Sequence, residues 1–315
     1  MSRPRFLAAL SAAAAFAAWP AGASVTHAVT RAARRVELVA ARPPATAVRV
    51  LVLTPPSYDA APARRYPVLY FLHDGRGDED VLFREGVADA LDEEMRDGRL
   101  PEMLVVSPRG VGTWFVDAAP REDQGAGPGE SGLPRAYMTF LTESLVPFVD
   151  AHYRTIAARG GRLAAGISMG GYGALHWGLA EPGLFVAVGG LSPAIQQMCP
   201  ETIAAMPFFV RPSLERAFGK GPARNVLRKN DLYSMLLDDA SLASRAPFVH
   251  VRCGTEDKYR LAEIATFFER YLGAVGVAHE VVLETGVHDW PYWKKVFPAF
   301  VRVLSARLTS TEGAR

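Results

Sequence analysis

The stretch Gly166-Ile167-Ser168-Met169-Gly170 constrains the fold of this chain more than any other part of its sequence. The residues before the serine, GRLAAGI, are apolar like a buried parallel strand, and MGGYGALHWGLA after it has helical apolar spacing. The pattern therefore predicts a strand, a sharp turn at Ser168 and a helix, the context of a G-x-S-x-G nucleophile elbow. Glycines two positions before and after the serine leave room for that turn, whereas an ordinary Gly/Ser turn or linker needs no such flanks.

Strand and helix patterns alternate on both sides of the elbow. Strands are predicted at 34–40, 46–58, 66–75, 102–108, 162–167, 185–192, 247–254 and 279–286, and helices near 81–98, 135–152 and 170–181 and after 288. This order predicts an α/β fold, with a mainly parallel central sheet covered by helices on both faces. Residues 196–245, longer than a usual crossover, have mixed helical character and are interpreted as a helical cap; helical packing on the sheet edge is the alternative.

The first residues have the features of a secretory signal peptide. Arg3 and Arg5 precede an Ala-rich apolar run and a small-residue site at Ala21-Gly22-Ala23. An uncleaved anchor is the alternative, but the run is short for a membrane span and no basic flank follows it. We expect a signal peptide at 1–23, an N-terminal segment at 24–44, one catalytic domain at 45–308 that includes the cap, and a tail at 309–315. The protein is then exported, periplasmic or secreted, without stable membrane insertion after cleavage.

Charge and cysteine content limit the classes of partner and site. Removal of the signal segment takes away two arginines and no acid, so the formal charge falls from +2 to 0. Nucleic acid is therefore disfavoured as a partner, because phosphate binding needs a basic surplus. Cys199 and Cys253 could pair in an oxidising compartment, but two cysteines make neither a disulfide framework nor a four-ligand zinc site. We expect no metal and no cofactor.

A serine nucleophile needs a histidine base and a carboxylate that orients this base. Among the seven histidines, His288 follows the last predicted strand and opens the terminal helix, where an open α/β sheet presents groups at the carboxyl ends of its strands. The acid is expected between serine and histidine in chain order, after a strand, where the sequence offers Asp257 and, as a reserve, Glu256. Both could also be solvated loop residues. We predict a Ser168, His288, Asp257 triad.

An oxyanion hole is expected from two backbone N–H groups, one after the nucleophile and one in an earlier loop between a strand and a helix. Met169 supplies the first. The Gly-rich loop FLHDGRGDED supplies the second from Gly75 or Arg76, unless this loop is a simple turn. His73 and Asp74 of this loop could be mistaken for the base and the acid, but they precede the elbow.

Four motifs, YFLHDGRGDED, GISMGGYGAL, CGTEDKY and GVHDWPYW, give residues 45–305 a resemblance to a known family. The chain resembles the putative esterase family of α/β-hydrolases, which includes esterase D (S-formylglutathione hydrolase), feruloyl esterases, enterochelin esterases and mycolyltransferases. The resemblance implies an α/β-hydrolase fold, with Ser168 as nucleophile, Asp257 as acid and His288 as base. It also implies that the Arg76 amide joins that of Met169 in the oxyanion hole. The chain shows neither an arginine cluster for a catecholate siderophore nor the cysteine-rich surroundings of fungal esterases.

These observations predict a serine carboxylic ester hydrolase that forms an acyl-enzyme from a small-molecule or glycan-linked ester. Trp114, Trp290, Tyr292 and Trp293 are candidate substrate-binding residues, although core packing is the favoured explanation for each ring, because such residues are commonly buried. The alternatives are an acyltransferase of the mycolyltransferase type with the same triad, and a non-catalytic binding protein with this fold. The sequence sets neither the acyl group nor the oligomeric state.

Overall fold

A computed structural model describes residues 25–27, 34–40, 46–119, 132–196, 199–206, 208, 210–219 and 224–309 of the chain. The predicted signal peptide at 1–23 lies outside the described residues, as do residues 310–315 of the predicted tail. No helix of the described ranges has the length and the apolar character that crossing a membrane requires.

Nine strands of the described residues form one sheet in the order β1-β2-β3-β5-β4-β6-β7-β8-β9. The six strands from β5 to β9 in this order are parallel, while β1, β2 and β3 form an antiparallel edge. The mainly parallel α/β sheet is thereby confirmed. The strands are β1 Val25–His27, β2 Arg34–Ala40, β3 Ala47–Leu53, β4 Val68–Leu72, β5 Leu104–Pro108, β6 Arg162–Ile167, β7 Ala187–Leu191, β8 Phe248–Gly254 and β9 His279–Glu284.

Helices cover both faces of this sheet. In β4, Leu69 and Phe71 pack on one face and Tyr70 and Leu72 on the other, because successive side chains of a strand point to opposite sides. The face with Leu69 is covered by α1 Val81–Arg84, α2 Val87–Arg96 and α12 Trp290–Ser305. The opposite face carries α3 Tyr137–Phe140, α4 Val146–His152, α5 Met169–Ala180 and α11 Leu261–Val275.

Two helices that the sequence predicts as continuous are divided. The helix predicted near 81–98 breaks between α1 and α2 at Gly86, whose φ of 71° is left-handed and open to glycine without steric cost. The helix predicted near 135–152 contains a π-helical turn, Leu141–Leu145, between α3 and α4. Pro147 lies in the first turn of α4, and proline has no N–H to donate to the preceding turn.

The predicted insert between β7 and β8 is helical. It contains α6 Pro200–Ala205, α7 Arg211–Phe218, α8 Arg224–Asn230, α9 Leu232–Asp238 and α10 Leu242–Arg245. The insert packs on α5: the Tyr172 hydroxyl of this helix donates to the Asn230 carbonyl at 2.6 Å, and the Phe218 ring meets that of Tyr172 edge to face. It therefore belongs to the face of the sheet that carries α5.

Candidate active site

The strand, turn and helix predicted around Ser168 are β6, the serine itself and α5. Ser168 has φ 54° and ψ −113°, outside the regions that non-glycine residues commonly occupy. A Cβ on Gly166 would lie 2.1 Å from the Gly170 carbonyl oxygen, and one on Gly170 would lie 2.0 Å from the Leu72 carbonyl oxygen. Both flanking positions thus exclude side chains through contacts with backbone atoms, which is the reason that the sequence pattern anticipated.

Ser168 and His288 are joined by a hydrogen bond. His288 lies in the loop between β9 and α12, and its Nε2 accepts from the Ser168 hydroxyl at 3.0 Å. Its Nδ1–H donates to Asp257 Oδ2 at 2.6 Å. Because an ionised carboxylate only accepts hydrogen bonds, this contact places the proton of the neutral imidazole on Nδ1 and leaves Nε2 as the acceptor for the serine proton.

Asp257, and not its neighbour Glu256, contacts the imidazole. The Asp257 side chain is fully buried and follows β8, and its second oxygen, Oδ1, accepts the Tyr259 N–H at 2.9 Å. The Glu256 residue is exposed. A buried carboxylate with hydrogen bonds to both oxygens is held in one orientation, which suits the role of orienting a histidine.

Backbone contacts join two loops: residues 255–260 after β8, which carry Asp257 and are called the acid loop, and residues 285–289 after β9, which carry His288 and are called the base loop. The N–H groups of Thr255 and Glu256 donate to the carbonyls of Glu284 and Gly286, at 2.8 and 2.9 Å. The two loops approach so closely that a Cβ on Gly254 would lie 2.2 Å from the Gly286 carbonyl oxygen. The contact between Asp257 and His288 therefore rests on the pairing of β8 with β9 and on its continuation into both loops.

The two predicted oxyanion donors lie at the carboxyl ends of neighbouring strands. Met169 is the first residue of α5, where an N–H has no acceptor within the helix. Arg76 follows β4, and its N–H donates to Asp74 Oδ2 at 3.1 Å. Burial raises the pKa of the Asp74 carboxyl above its usual range. The Arg76 amide thus has an internal acceptor in this structure, which the sequence did not indicate.

His73 has a structural position in the same loop. Its Nδ1 contacts the Asp74 carbonyl oxygen at 2.8 Å, and its Nε2 accepts the Gly110 N–H at 2.9 Å. Burial lowers the pKa of His73 to about 4, so the ring stays neutral and can keep both contacts at neutral pH. His73 therefore links the loop after β4 to the loop after β5.

Three of the four candidate substrate-binding residues are buried. Trp114, Tyr292 and Trp293 are 5%, 6% and 4% exposed, so their rings offer almost no surface to a ligand. The Tyr292 ring lies against Gly286, and the Trp114 indole N–H donates to Ser213 Oγ at 3.1 Å. We correct the substrate-binding interpretation of these three residues to core packing. Trp290, the first residue of α12, is half-buried and keeps part of its surface exposed.

Two aromatic rings meet His288 that no sequence motif identified as partners of the base. The rings of Tyr259 and Trp293 contact the imidazole edge to face, at centroid distances of 4.9 and 4.8 Å. Tyr259 is 36% exposed and belongs to the acid loop. The sequence could place both residues near the triad only through their short distances in the chain from Asp257 and His288.

The buried Cys253 thiol contacts the predicted triad, because it donates to Asp257 Oδ2 at 3.9 Å. Both thiols are free, so the possible disulfide between Cys199 and Cys253 is not formed.

A cavity of about 1040 Å³ lies beside the carboxyl-terminal half of α5, with His176, Thr142 and Asn230 among its lining residues. Ser168, Asp257 and His288 do not line it. Among the described residues, no three His, Cys, Asp or Glu side chains cluster as metal ligands would.

The arrangement can abstract and return a proton. A serine hydroxyl, an imidazole and a buried carboxylate form one hydrogen-bonded chain beside the start of a helix, where N–H groups favour developing negative charge. Such a site can perform nucleophilic acyl transfer.

Solved structures with this architecture include several esterases. A ferulic acid esterase superposes with a TM-score of 0.70 and 23% identity, over 89% of this chain and 100% of that chain. An S-formylglutathione hydrolase from Agrobacterium tumefaciens gives 0.70 and 17%, over 90% and 99%. A fluorophosphonate-binding serine hydrolase of Staphylococcus aureus gives 0.69 and 18%, over 89% and 99%. At these identities, the likeness shows the α/β-hydrolase fold.

Sequence comparisons connect the chain to curated esterases. Esterase Rv1288 of Mycobacterium tuberculosis (strain H37Rv) is 34% identical over 141 residues, which are 44% of this chain and 27% of that protein. The match therefore spans about a quarter of the length of this relative. The profile of the family described as "Putative esterase" matches residues 44–304, most of the chain. The chain belongs to the putative esterase family.

Proposed function

We propose that this protein is an exported serine hydrolase that cleaves carboxylic esters through an acyl-enzyme. The observation that carries the proposal is the hydrogen-bonded chain from Ser168 through His288 to the buried Asp257. Membership in the esterase family supports the same reaction class. The names of the structural neighbours favour esters of aromatic acids or thioesters as first substrates to examine.

In the proposed reaction, Ser168 Oγ attacks the ester carbonyl carbon while its proton moves to His288 Nε2. Asp257 stabilises the imidazolium through Nδ1. The tetrahedral intermediate collapses when the imidazolium gives its proton to the leaving alcohol, and an acyl-serine remains. Water then attacks the acyl-serine with His288 as base, which releases the acid and restores the serine.

The Met169 N–H is the proposed first donor to the oxyanion. Arg76 is the proposed second donor, and its N–H is bound by Asp74 in the resting structure. The oxyanion must therefore compete with the Asp74 carboxylate for this hydrogen, or share it.

Hydrolysis of a panel of p-nitrophenyl acyl, feruloyl and thioester substrates tests the proposal, with Ser168→Ala as control. We expect hydrolysis by the native protein, and Ser168→Ala should lose it by a factor of about 10³ or more. A fluorophosphonate probe should label native protein and spare the variant. Retention of hydrolysis in folded Ser168→Ala would remove Ser168 as nucleophile, and silence of the native protein with every substrate and with the probe would favour a binding protein.

Export rests on the signal-like features of residues 1–23 and has its own test. After expression in a bacterial host, the amino terminus of the periplasmic or secreted protein is sequenced. We expect it to begin at Ser24, after the Ala21-Gly22-Ala23 site. A full-length protein that stays with the membrane fraction would instead support an uncleaved anchor.

A further inference from the structure

The end of β7 and the residues after it contact Ser168 directly and reach His288 through Trp293. The Ser168 N–H donates to the Leu191 carbonyl at 2.9 Å, and the Ala194 N–H donates to the Ser168 carbonyl at 3.1 Å. Between these residues, Ser192 Oγ accepts the indole N–H of Trp293 at 3.1 Å. One short segment thus holds the nucleophile by its backbone and Trp293 by a side chain.

Trp293 is the link from this segment to the base. Its indole is 4% exposed and meets the His288 imidazole at 4.8 Å with an interplanar angle of 82°. Aromatic pairs favour this edge-to-face arrangement. Because the hydrogen bond to Ser192 fixes the rotation of the indole, it also fixes the wall against which the imidazole lies.

The second ring on the imidazole differs in this respect. Tyr259 contacts His288 at nearly the same distance, 4.9 Å, but it is 36% exposed and lies at the surface. A surface ring moves more freely than a buried ring with a hydrogen bond. Of the two rings, Trp293 is therefore the one that fixes the position of the His288 imidazole.

The backbone of Ser192 supports a specific role for its hydroxyl. Ser192 is fully buried and has φ 44°, in the left-handed region where glycine fits without steric cost. Its N–H donates to the Arg252 carbonyl at 2.7 Å, which holds this conformation. Strained non-glycine residues persist where the surroundings enforce them and often occur at functional sites. The hydroxyl is what serine adds here beyond glycine.

We propose that Ser192 is a positioning residue: through the Trp293 indole it holds the His288 imidazole in line with Ser168, whose backbone is fixed by Leu191 and Ala194. This inference rests on the proposed function. Ser192 and Trp293 transfer no proton and form no bond with the substrate. They preserve the 3.0 Å contact between Ser168 Oγ and His288 Nε2, and small displacements from such a geometry reduce turnover strongly.

The experiment is a double-mutant cycle on the full chain with Ser192→Ala, Trp293→Phe and the combined variant. Each single change removes one partner of the same hydrogen bond. We expect each to lower kcat by about ten- to a hundredfold, with KM changed by less than about twofold. The combined variant should be no slower than the slower single variant, because both changes abolish one interaction. Multiplicative losses, or losses in KM alone, would overturn the proposal.

A matched pair elsewhere in the fold controls for general loosening of the core. Trp177 is also fully buried on α5, and its indole N–H donates to Thr142 Oγ1 at 2.9 Å, without contact to His288. Trp177→Phe and Thr142→Ala should lower the melting temperature and leave kcat within about twofold of the native value. A loss of kcat in this pair as large as that in Ser192→Ala would show that the Ser192 effect is not specific.

Ser192→Gly separates the hydroxyl from the strained backbone. Glycine accepts φ 44° without cost, so this variant should fold at least as well as Ser192→Ala and should still lose kcat. Native kcat in Ser192→Gly would overturn the proposal. Ser168→Ala is measured beside these variants: hydrolysis that survives in it refutes the proposed nucleophile, whereas native kcat in the Ser192 and Trp293 variants, with Ser168→Ala inactive, refutes only this inference.

Discussion

Replacement of Asp257 by asparagine is the sharpest perturbation of the proposed mechanism. The two side chains have nearly the same shape, so the buried site after β8 keeps its packing. Asparagine can present its amide oxygen to Nδ1–H or its amide NH₂ to a bare Nδ1, and the second arrangement puts the imidazole proton on Nε2. In that tautomer, His288 can no longer accept the Ser168 proton. In both arrangements the negative charge that faces the imidazolium is lost.

The size of the effect follows from burial and distance. The Asp257 side chain is fully buried, that of His288 is 8% exposed, and 2.6 Å separates Oδ2 from Nδ1. Loss of one partner from a buried charged pair costs about 3–5 kcal/mol. Because His288 carries its charge only during turnover, this cost is expected in kcat and not in substrate binding. At about 1.4 kcal/mol per factor of ten, kcat should fall by about 10²–10⁴-fold.

Initial rates of p-nitrophenyl ester hydrolysis provide the assay, with circular dichroism and thermal melting as checks on the fold. Glu256→Gln is the matched control, because it makes the same chemical change at the adjacent, exposed carboxylate. It should leave kcat within about twofold of the native value. A folded Asp257→Asn protein with native kcat, or a Glu256→Gln protein that loses kcat equally, would refute the reasoning from the contact between Asp257 and His288.

Three further changes test the fold around the site. Gly170→Ala should lower the free energy of unfolding by about 1–3 kcal/mol, because its Cβ would lie 2.0 Å from the Leu72 carbonyl oxygen; a lower urea midpoint would show this. Gly183→Ala is the control and should keep the native midpoint, because no atom lies within 4 Å of the added Cβ. Burial lowers the pKa of His176 from 6.5 to about 4, so between these pH values the unfolded chain binds a proton at this histidine and the folded protein does not. The free energy of unfolding should therefore fall as pH drops from 6.5 to 4, and His176→Phe should make this fall smaller. Urea midpoints that fall with pH equally in both proteins would contradict this. Iodoacetamide should alkylate the half-buried Cys199 before the buried Cys253, because burial raises the pKa of the Cys253 thiol to about 12. Equal alkylation rates of the two cysteines, measured by mass spectrometry, would contradict this.

The sequence predicted the fold where one local pattern determines one element. The run at 162–167 is β6 to the residue, and RRVELVA at 34–40 is β2, because apolar runs and alternation are properties of the segments themselves. The positions of helix breaks were not predictable in this way. The left-handed Gly86 and the π-helical turn before Pro147 depend on how the helices meet the sheet.

The candidate site, like the fold, was predictable from the sequence only in part. Chain order and strand ends placed Ser168, Asp257 and His288 at the same edge of the sheet, since carboxyl ends of parallel strands converge there. Residue type favoured core packing for Trp114, Tyr292 and Trp293 without excluding a ligand, because large rings suit both, and the structure buries all three. Ser192 had no sequence signal, because its hydrogen bond joins residues about a hundred positions apart.

Because these aromatic residues are buried, the residues that set the reaction rate of the proposed enzyme are not the residues that select its substrate. The hydrogen-bonded chain and the rings behind it are part of the core, so they act on every ester that reaches Ser168. Differences between one ester and another must then arise from side chains that a substrate can touch, such as Tyr259 and Val287 in the loops after β8 and β9 and Trp290 at the start of α12. Exposed loop residues vary more freely than the packed residues beneath them. The proposed reaction class is therefore compatible with many different substrates.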